Sequence, residues 1–180
     1  MDTANAWHPG AAAVAPKWPI PTSILPDELL SSWLIRLAFR QGCDPMVLTG
    51  TLWPGWRVWT RDPDRPLAPE RAEVLSRFTG VEEEAIQAAS LRAVALRVNG
   101  GVLPEHHYYG WMLALGIHNR KREGGLQYCP RCLQEDADPY YRLQWRFAWH
   151  TGCALHQKSL RDRCCFCDAP LEPHRLEAED

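Results

Sequence analysis

Apolar positions fall at helical spacing over the first half of this chain and lose that spacing over its last third. Leu29, Leu30, Trp33, Leu34, Leu37 and Ala38 recur three and four apart, the stripe of a helix with one buried face. Pro26-Asp27-Glu28 ahead of them suits a first turn and the positive end of the dipole. The helix is therefore predicted to open there and to end at Gly42, with Arg36 and Arg40 off the stripe. Asp44-Pro45 reads as N-cap and first residue of a short second helix running to Leu52. Residues 53–66, WPGWRVWTRDPDRP, hold three Pro, one Gly and paired Asp, and read as an irregular loop. Pro69 starts a third helix with Ala72, Leu75 and Phe78 inward. Thr79-Gly80 breaks it, and residues 82–91 form a fourth with Ala85, Ile86 and Ala89 inward. Beyond it the pattern weakens: Gly100-Gly101 and Pro104 suggest a linker, and residues 111–117 are apolar. Residues 1–21, with Pro9, Pro16, Pro19 and Pro21, read as an extended arm whose Trp7 and Trp18 are either docking anchors or incidental.

Helix, glycine turn, helix is the helix-turn-helix pattern, and it is weak alone. Glu82-Glu83-Glu84 stands where a recognition helix would meet bases and phosphates. Three carboxylates there repel DNA, so this part reads as scaffold or protein contact, with DNA contact by some other face as the alternative.

The chain has 180 residues, enough for one ordinary domain or two small ones, and its usage is globular. Its formal charge is −2, so the whole chain is no electrostatic nucleic-acid binder. Charge is nevertheless uneven. Residues 118–167 carry nine basic residues against five acidic, and an acidic tail follows that is expected to stay solvated. No apolar run approaches a membrane span, and a secretory signal is not expected, because the apolar residues 11–15 are few and follow no basic segment. The expected compartment is reducing and cytoplasmic, where clustered cysteines read as metal ligands before disulfides.

The seven cysteines carry the chemistry. Cys129-Pro130-Arg131-Cys132 is a C-x2-C, and Cys153-Ala154-Leu155-His156 a C-x2-H. Together they make a Cys3His zinc set, with room for a β-hairpin between the two knuckles. All four positions are filled by protein, so the zinc is structural, with none open for a catalytic water. Cys164 and Cys167 form another C-x2-C that needs two more ligands, from Cys165, His150 or His174. Cys43 reads as a buried or semi-buried thiol, and His106-His107 as a weak metal pair. Glu135, Asp136 and Asp138 read as a turn with Pro139. No phosphate-binding glycine loop or nucleophile motif is present, and no active site is expected.

Two aromatic–basic groups are candidate contact surfaces. Trp53, Trp56, Arg57, Trp59 and Arg61 cluster in the irregular loop, and Trp and Arg are enriched at interface hot spots. The alternative is that at least two of these Trp close the helical core. Arg142 and Arg146 flank Trp145 and reach phosphate, a partner, or Asp136 and Asp138.

The stretch YCPRCLQEDADPYYRLQWRFAWHTGCALHQKSLRDRCCFCDAPL resembles the TniQ/TnsD family of transposition target-selection proteins. The pattern is carried by Cys129, Pro130, Cys132, Leu133, Asp136, Tyr140 or Tyr141, Arg142, Trp145, Cys153, His156, Leu160, Cys164, Cys167, Pro170 and Leu171. LPDELLSSWLIRLA and the Thr79-Gly80-Val81 turn add to it, so that the resemblance covers residues 20–171. It implies a mainly α fold with a small zinc-stabilised β part. A helix-turn-helix-like domain (22–98) would be followed by a linker (99–126), a zinc-ribbon module (127–171) and the tail (172–180). It implies a non-enzymatic adaptor between a target-recognising element and an AAA+ ATPase that recruits the transposase. The targeting partner would be a CRISPR effector complex with guide RNA or another targeting protein, with non-specific DNA contact. In the family a further cysteine pair completes the second ribbon, whereas here only His174 follows Cys167. The alternative class is a zinc-ribbon and helix-turn-helix DNA-binding regulator. A zinc or thiol enzyme is the third.

Overall fold

The computed structural model describes residues 17–103, 109–113 and 125–175. Among these, six α-helices and one two-stranded sheet are joined by 3-10 turns. The helices are α1 (Leu30–Arg40), α2 (Pro45–Leu52), α3 (Pro69–Thr79), α4 (Glu83–Ala88), α5 (Arg92–Val98) and α6 (Pro130–Glu135). The strands are β1 (Gly152–Cys153) and β2 (Lys158–Ser159), antiparallel. Trp7 and the His106-His107 pair lie outside the described residues.

The apolar stripe of α1 is buried as its spacing predicts, with Leu30, Trp33, Leu34, Leu37 and Ala38 almost wholly out of solvent. Its start is corrected. Asp27 takes a left-handed backbone conformation (φ 57°), and Glu28 bridges Arg142 in strand-like pairing. Leu29 N–H donates to the Tyr141 carbonyl at 2.9 Å, and Leu143 N–H to the Asp27 carbonyl at 2.7 Å. Long-range backbone pairing thus takes the donors and acceptors that a first turn would have left to water. The Glu28 carboxylate is buried and accepts from Leu25 N, Ser32 Oγ and the Arg36 guanidinium.

The second helix forms as predicted, its Asp44 carboxylate capping Met46 N and Val47 N. In α3, Ala72 and Leu75 are buried, while Phe78 is half-buried and stacks on Trp18 at 5.5 Å. Trp18 is therefore anchored, its own N–H donating to the Phe78 carbonyl. Gly80 ends α3 at φ 74°, where a side chain would be strained. The fourth helix stops sooner than predicted, at Ala88. Leu30 N–H takes the Ala89 carbonyl, and Leu91 N–H reaches across to the Asp64 carbonyl at 2.7 Å. Ile86 and Ala89 face inward, but Ala85 is exposed. Residues 92–98, read as less regular, form α5, with Ala95 buried.

Three apolar clusters run through the molecule. One fills the space among α1 to α4, and one surrounds the cysteine cluster with Tyr128 and Trp145. A middle cluster joins Leu29, Leu91 and Ala95 to Tyr109, Met112, Leu126 and Leu143. Segment 99–126 was expected to be a linker, yet its Tyr109, Met112 and Leu126 are core residues. The tail also departs from its expectation. Pro173–Arg175 is a 3-10 turn with His174 buried, its ring stacked on Trp59 at 5.1 Å and 9°.

A buried ion cluster crosses between the halves. Arg146, fully buried, donates from both Nη atoms to Asp62 and from Nη1 to Asp64, at 2.6–3.0 Å. It also donates to the Leu113 carbonyl. Asp64 in turn accepts from the backbone N–H and hydroxyl of Ser31 in α1. Burial pushes the Asp64 carboxyl up, and Arg146 works against that rise.

Candidate metal centre and contact surfaces

Pro130 sets the first turn of α6, so Cys129 at its N-cap and Cys132 three residues on share one face. The second knuckle is a tight turn closing the β1–β2 hairpin. Gln157, at φ 50°, donates its N–H to the Cys153 carbonyl at 2.8 Å and folds His156 back toward the sulfurs. The hairpin was expected between the knuckles; it instead frames the second one. Between the knuckles the regular pieces are the end of α6 and a 3-10 turn over Leu143–Arg146.

The four donor atoms of Cys129, Cys132, Cys153 and His156 lie within 4.8 Å of one another. The His156 Nδ1 is 3.4 Å from Cys129 Sγ, 3.4 Å from Cys132 Sγ and 3.5 Å from Cys153 Sγ. The Cys132 and Cys153 sulfurs are 3.5 Å apart. Tetrahedral zinc, with bonds of about 2.3 Å to sulfur and 2.0 Å to nitrogen, asks for separations of roughly 3.5 Å between sulfur and nitrogen and 3.8 Å between sulfurs. The set can therefore hold a metal ion, and its donors are those that zinc prefers.

The surroundings favour the ion further. The other ring nitrogen, His156 Nε2, meets Glu135 Oε2 at 2.8 Å, which orients the ring and directs Nδ1 at the sulfurs. That contact holds the Glu135 carboxyl below its usual range and raises the His156 imidazole. Burial pushes the Cys132 thiol up to about 12. Burial also opposes the Cys153 thiolate, but the N–H groups of His156 and Leu155 and the neighbouring thiols bring it below the ordinary value. A divalent ion supplies the charge that keeps such buried sulfurs deprotonated. Sequence reasoning gave Glu135 no such role. The signal was its place three residues after a C-x2-C, on the last turn of the helix that the knuckle starts.

The other predicted positions separate. Cys164 has the local form of a knuckle, with the N–H groups of Phe166 and Cys167 turned on its sulfur and lowering its pKa. Among the described residues, neither His150 nor His174 joins Cys164 and Cys167 in a three-ligand group. Arg146 is corrected from a contact residue to a buried one, because Asp62 and Asp64 enclose it. Arg142 is largely tied down, paired with Asp136 at 2.8 Å and lying over the rings of Tyr140 and Trp145. Asp138 pairs with Arg40 at 2.6 Å. Trp53 and Trp59 are buried in the helical core, and Trp59 Nε1 donates to Thr49 Oγ1. Trp56 is half-buried beneath the Arg71 guanidinium at 3.6 Å. Arg57 and Arg61 stand exposed.

One surface went unread in the sequence. Trp111, Phe147 and Trp149 form a run of rings 5.0–5.9 Å apart, ending on Trp149, 58% exposed. The alternation of Phe147 and Trp149 was its visible trace. Among the described residues no helix is long and apolar enough to cross a membrane.

A family model described as TniQ matches residues 19–160. No curated protein matches the chain. The matched span includes all four donors of the metal cluster and ends before Cys164.

Proposed function

Because the chain belongs to the TniQ family, we propose that it is an adaptor in DNA transposition, joining a target-recognising element to an AAA+ ATPase that recruits the transposase. The family acts in transposition target selection and is not catalytic. Support for the adaptor reading comes from a match that spans both the helical half and the metal centre. In this reading the helical half is helix-turn-helix-like and the Cys3His set is a zinc-ribbon site. The zinc is structural, since its four ligands leave no place for water or substrate. The targeting partner is a guide-RNA effector complex or another targeting protein. The ATPase contact lies on the loop of residues 53–66, where Trp56 under Arg71 gives a firm platform beside Arg57 and Arg61. A free-standing DNA-reading regulator is the weaker alternative, because Glu83 and Glu84 occupy the first turn of α4.

Co-sedimentation with the ATPase assembled on duplex DNA tests this. Wild type should pellet only with the assembled ATPase, and Arg57→Glu/Arg61→Glu should stay largely in the supernatant. Wild type left in solution with the assembled ATPase would sink the adaptor reading.

A further inference from the structure

Among the helices of the first half, α2 is built differently. Its 8 residues, PMVLTGTL, carry no charge. A helix that is apolar all round belongs where both its faces are covered. Here one face is. Pro45, Leu48, Thr49 and Leu52 are buried in the helical core, and Trp59 Nε1 donates to the Thr49 hydroxyl. The other face is open: Met46 is 58% and Val47 61% exposed, and exposed Gly50, Thr51 and Pro54 continue it by a turn. The neighbouring α3 instead turns Glu70, Glu73 and Arg77 to solvent.

Gly50 sharpens the contrast. Glycine inside a helix weakens it, and it earns its place where another backbone comes close. Nothing within the fold comes close, since a Cβ at Gly50 would meet no atom within 4 Å. The gap opens outward, beside Met46 and Val47.

The border of this face is cationic. The 3-10 turn over Val58–Thr60 packs back on α2 through Trp59, with exposed Arg57 and Arg61 at its two ends. Neither forms an ion pair among the described residues. The carboxylates of residues 44–77 are mostly engaged. Asp44 caps α2, Asp62 and Asp64 hold Arg146, and Glu73 pairs with Arg77. Glu70 stands exposed beside Arg71, whose guanidinium lies over Trp56.

We infer that the open face of α2 docks an amphipathic helix of another protein, apolar along one side and acidic where it meets Arg57 and Arg61. Met46 and Val47 with the gap at Gly50 offer a ridge and a groove to the ridge of a second helix. Charge complementarity with the two arginines sets the sign of its flanks. The uncharged centre gives a phosphate backbone nothing to hold. Which protein supplies the helix rests on the adaptor reading; the chemistry of the face does not.

Fluorescence anisotropy tests this with a labelled helical peptide of about 18 residues, leucine at i, i+3, i+4 and i+7 and glutamate on its flanks, beside a twin with lysine for glutamate. Wild type should bind the glutamate peptide about threefold or more tighter than the lysine one. Met46→Lys/Val47→Lys should weaken binding by about tenfold or more. If that variant melts early, Met46→Gln/Val47→Gln gives the same reading. Gly50→Gln should also weaken binding while its melting temperature does not fall, because its side chain meets nothing in the fold. Arg57→Glu/Arg61→Glu should reverse the preference toward the lysine peptide. No saturable binding below about 1 mM, binding indifferent to Met46 and Val47, or a preference that does not reverse would each overturn the inference. So would a dimer of this chain that Met46→Lys/Val47→Lys dissolves, since the face would then belong to a second copy. Peptide binding without pelleting on the ATPase sinks the adaptor reading and leaves this face; the opposite pattern removes the face alone.

Discussion

Two C-x2-C turns in one half of this molecule have met different fates. Cys129 and Cys132 are buried, faced by Cys153 and His156, and backed by Trp145 and Glu135. Cys164 is half-buried and Cys167 exposed, beside a Phe166 ring almost wholly in solvent. Both pairs open on the same short motif, and backbone N–H groups turn on the Cys164 sulfur much as they turn on Cys153, the cysteine that faces the first pair. What differs is the chain packed opposite. A knuckle becomes a site when a second knuckle is delivered to it, and here the β1–β2 hairpin delivers one only to the first.

The sharpest way to break this comparison is to disable the closed site. Cys132→Ser should abolish zinc binding and the cooperative thermal transition of residues 127–171, because structural zinc contributes about 10–16 kcal/mol in finger peptides. Circular dichroism melts with and without chelator read this out. Next comes the buried cluster that ties this half to the helices. Arg146→Ala leaves Asp62 and Asp64 buried without their cation, and should cost about 3–5 kcal/mol in denaturant unfolding. The variant should still bind zinc when folded. Removing the carboxylate behind His156 is milder: Glu135→Ala should weaken zinc by about 10–100-fold in chelator competition, with little change of fold. Smallest of all, Cys164→Ser/Cys167→Ser should shift stability by less than about 0.5 kcal/mol and leave the first zinc in place. A larger loss there would show that the open knuckle is a second site closed by residues outside the described span.

Much of this was legible from spacing alone. The α1 stripe, the Asp44-Pro45 start of α2 and the Gly80 stop of α3 are local signals, and each appears where its residues put it. The Cys3His donor set was legible for the same reason, since C-x2-C and C-x2-H are turns that form within four residues. The misreadings share one cause, namely partners distant in the chain. The first turn predicted at Pro26 gave way to pairing with residues 141–143. The fourth helix ended early because α1 and Asp64 took its backbone groups. Arg146 looked like a surface cation beside Trp145, and nothing near it in sequence announces Asp62 and Asp64. His174, weighed as a ligand, stacks on Trp59 instead, a ring far earlier in the chain.

The claim on which the rest stands is that Cys129, Cys132, Cys153 and His156 hold a resident zinc that fixes this half of the molecule. Metal content per chain, measured by elemental analysis of wild type beside Cys132→Ser, tests it most directly. The account predicts tightly held zinc in wild type and loss of that zinc in Cys132→Ser. Wild type without zinc, or a Cys132→Ser variant that keeps all of it, would contradict the account.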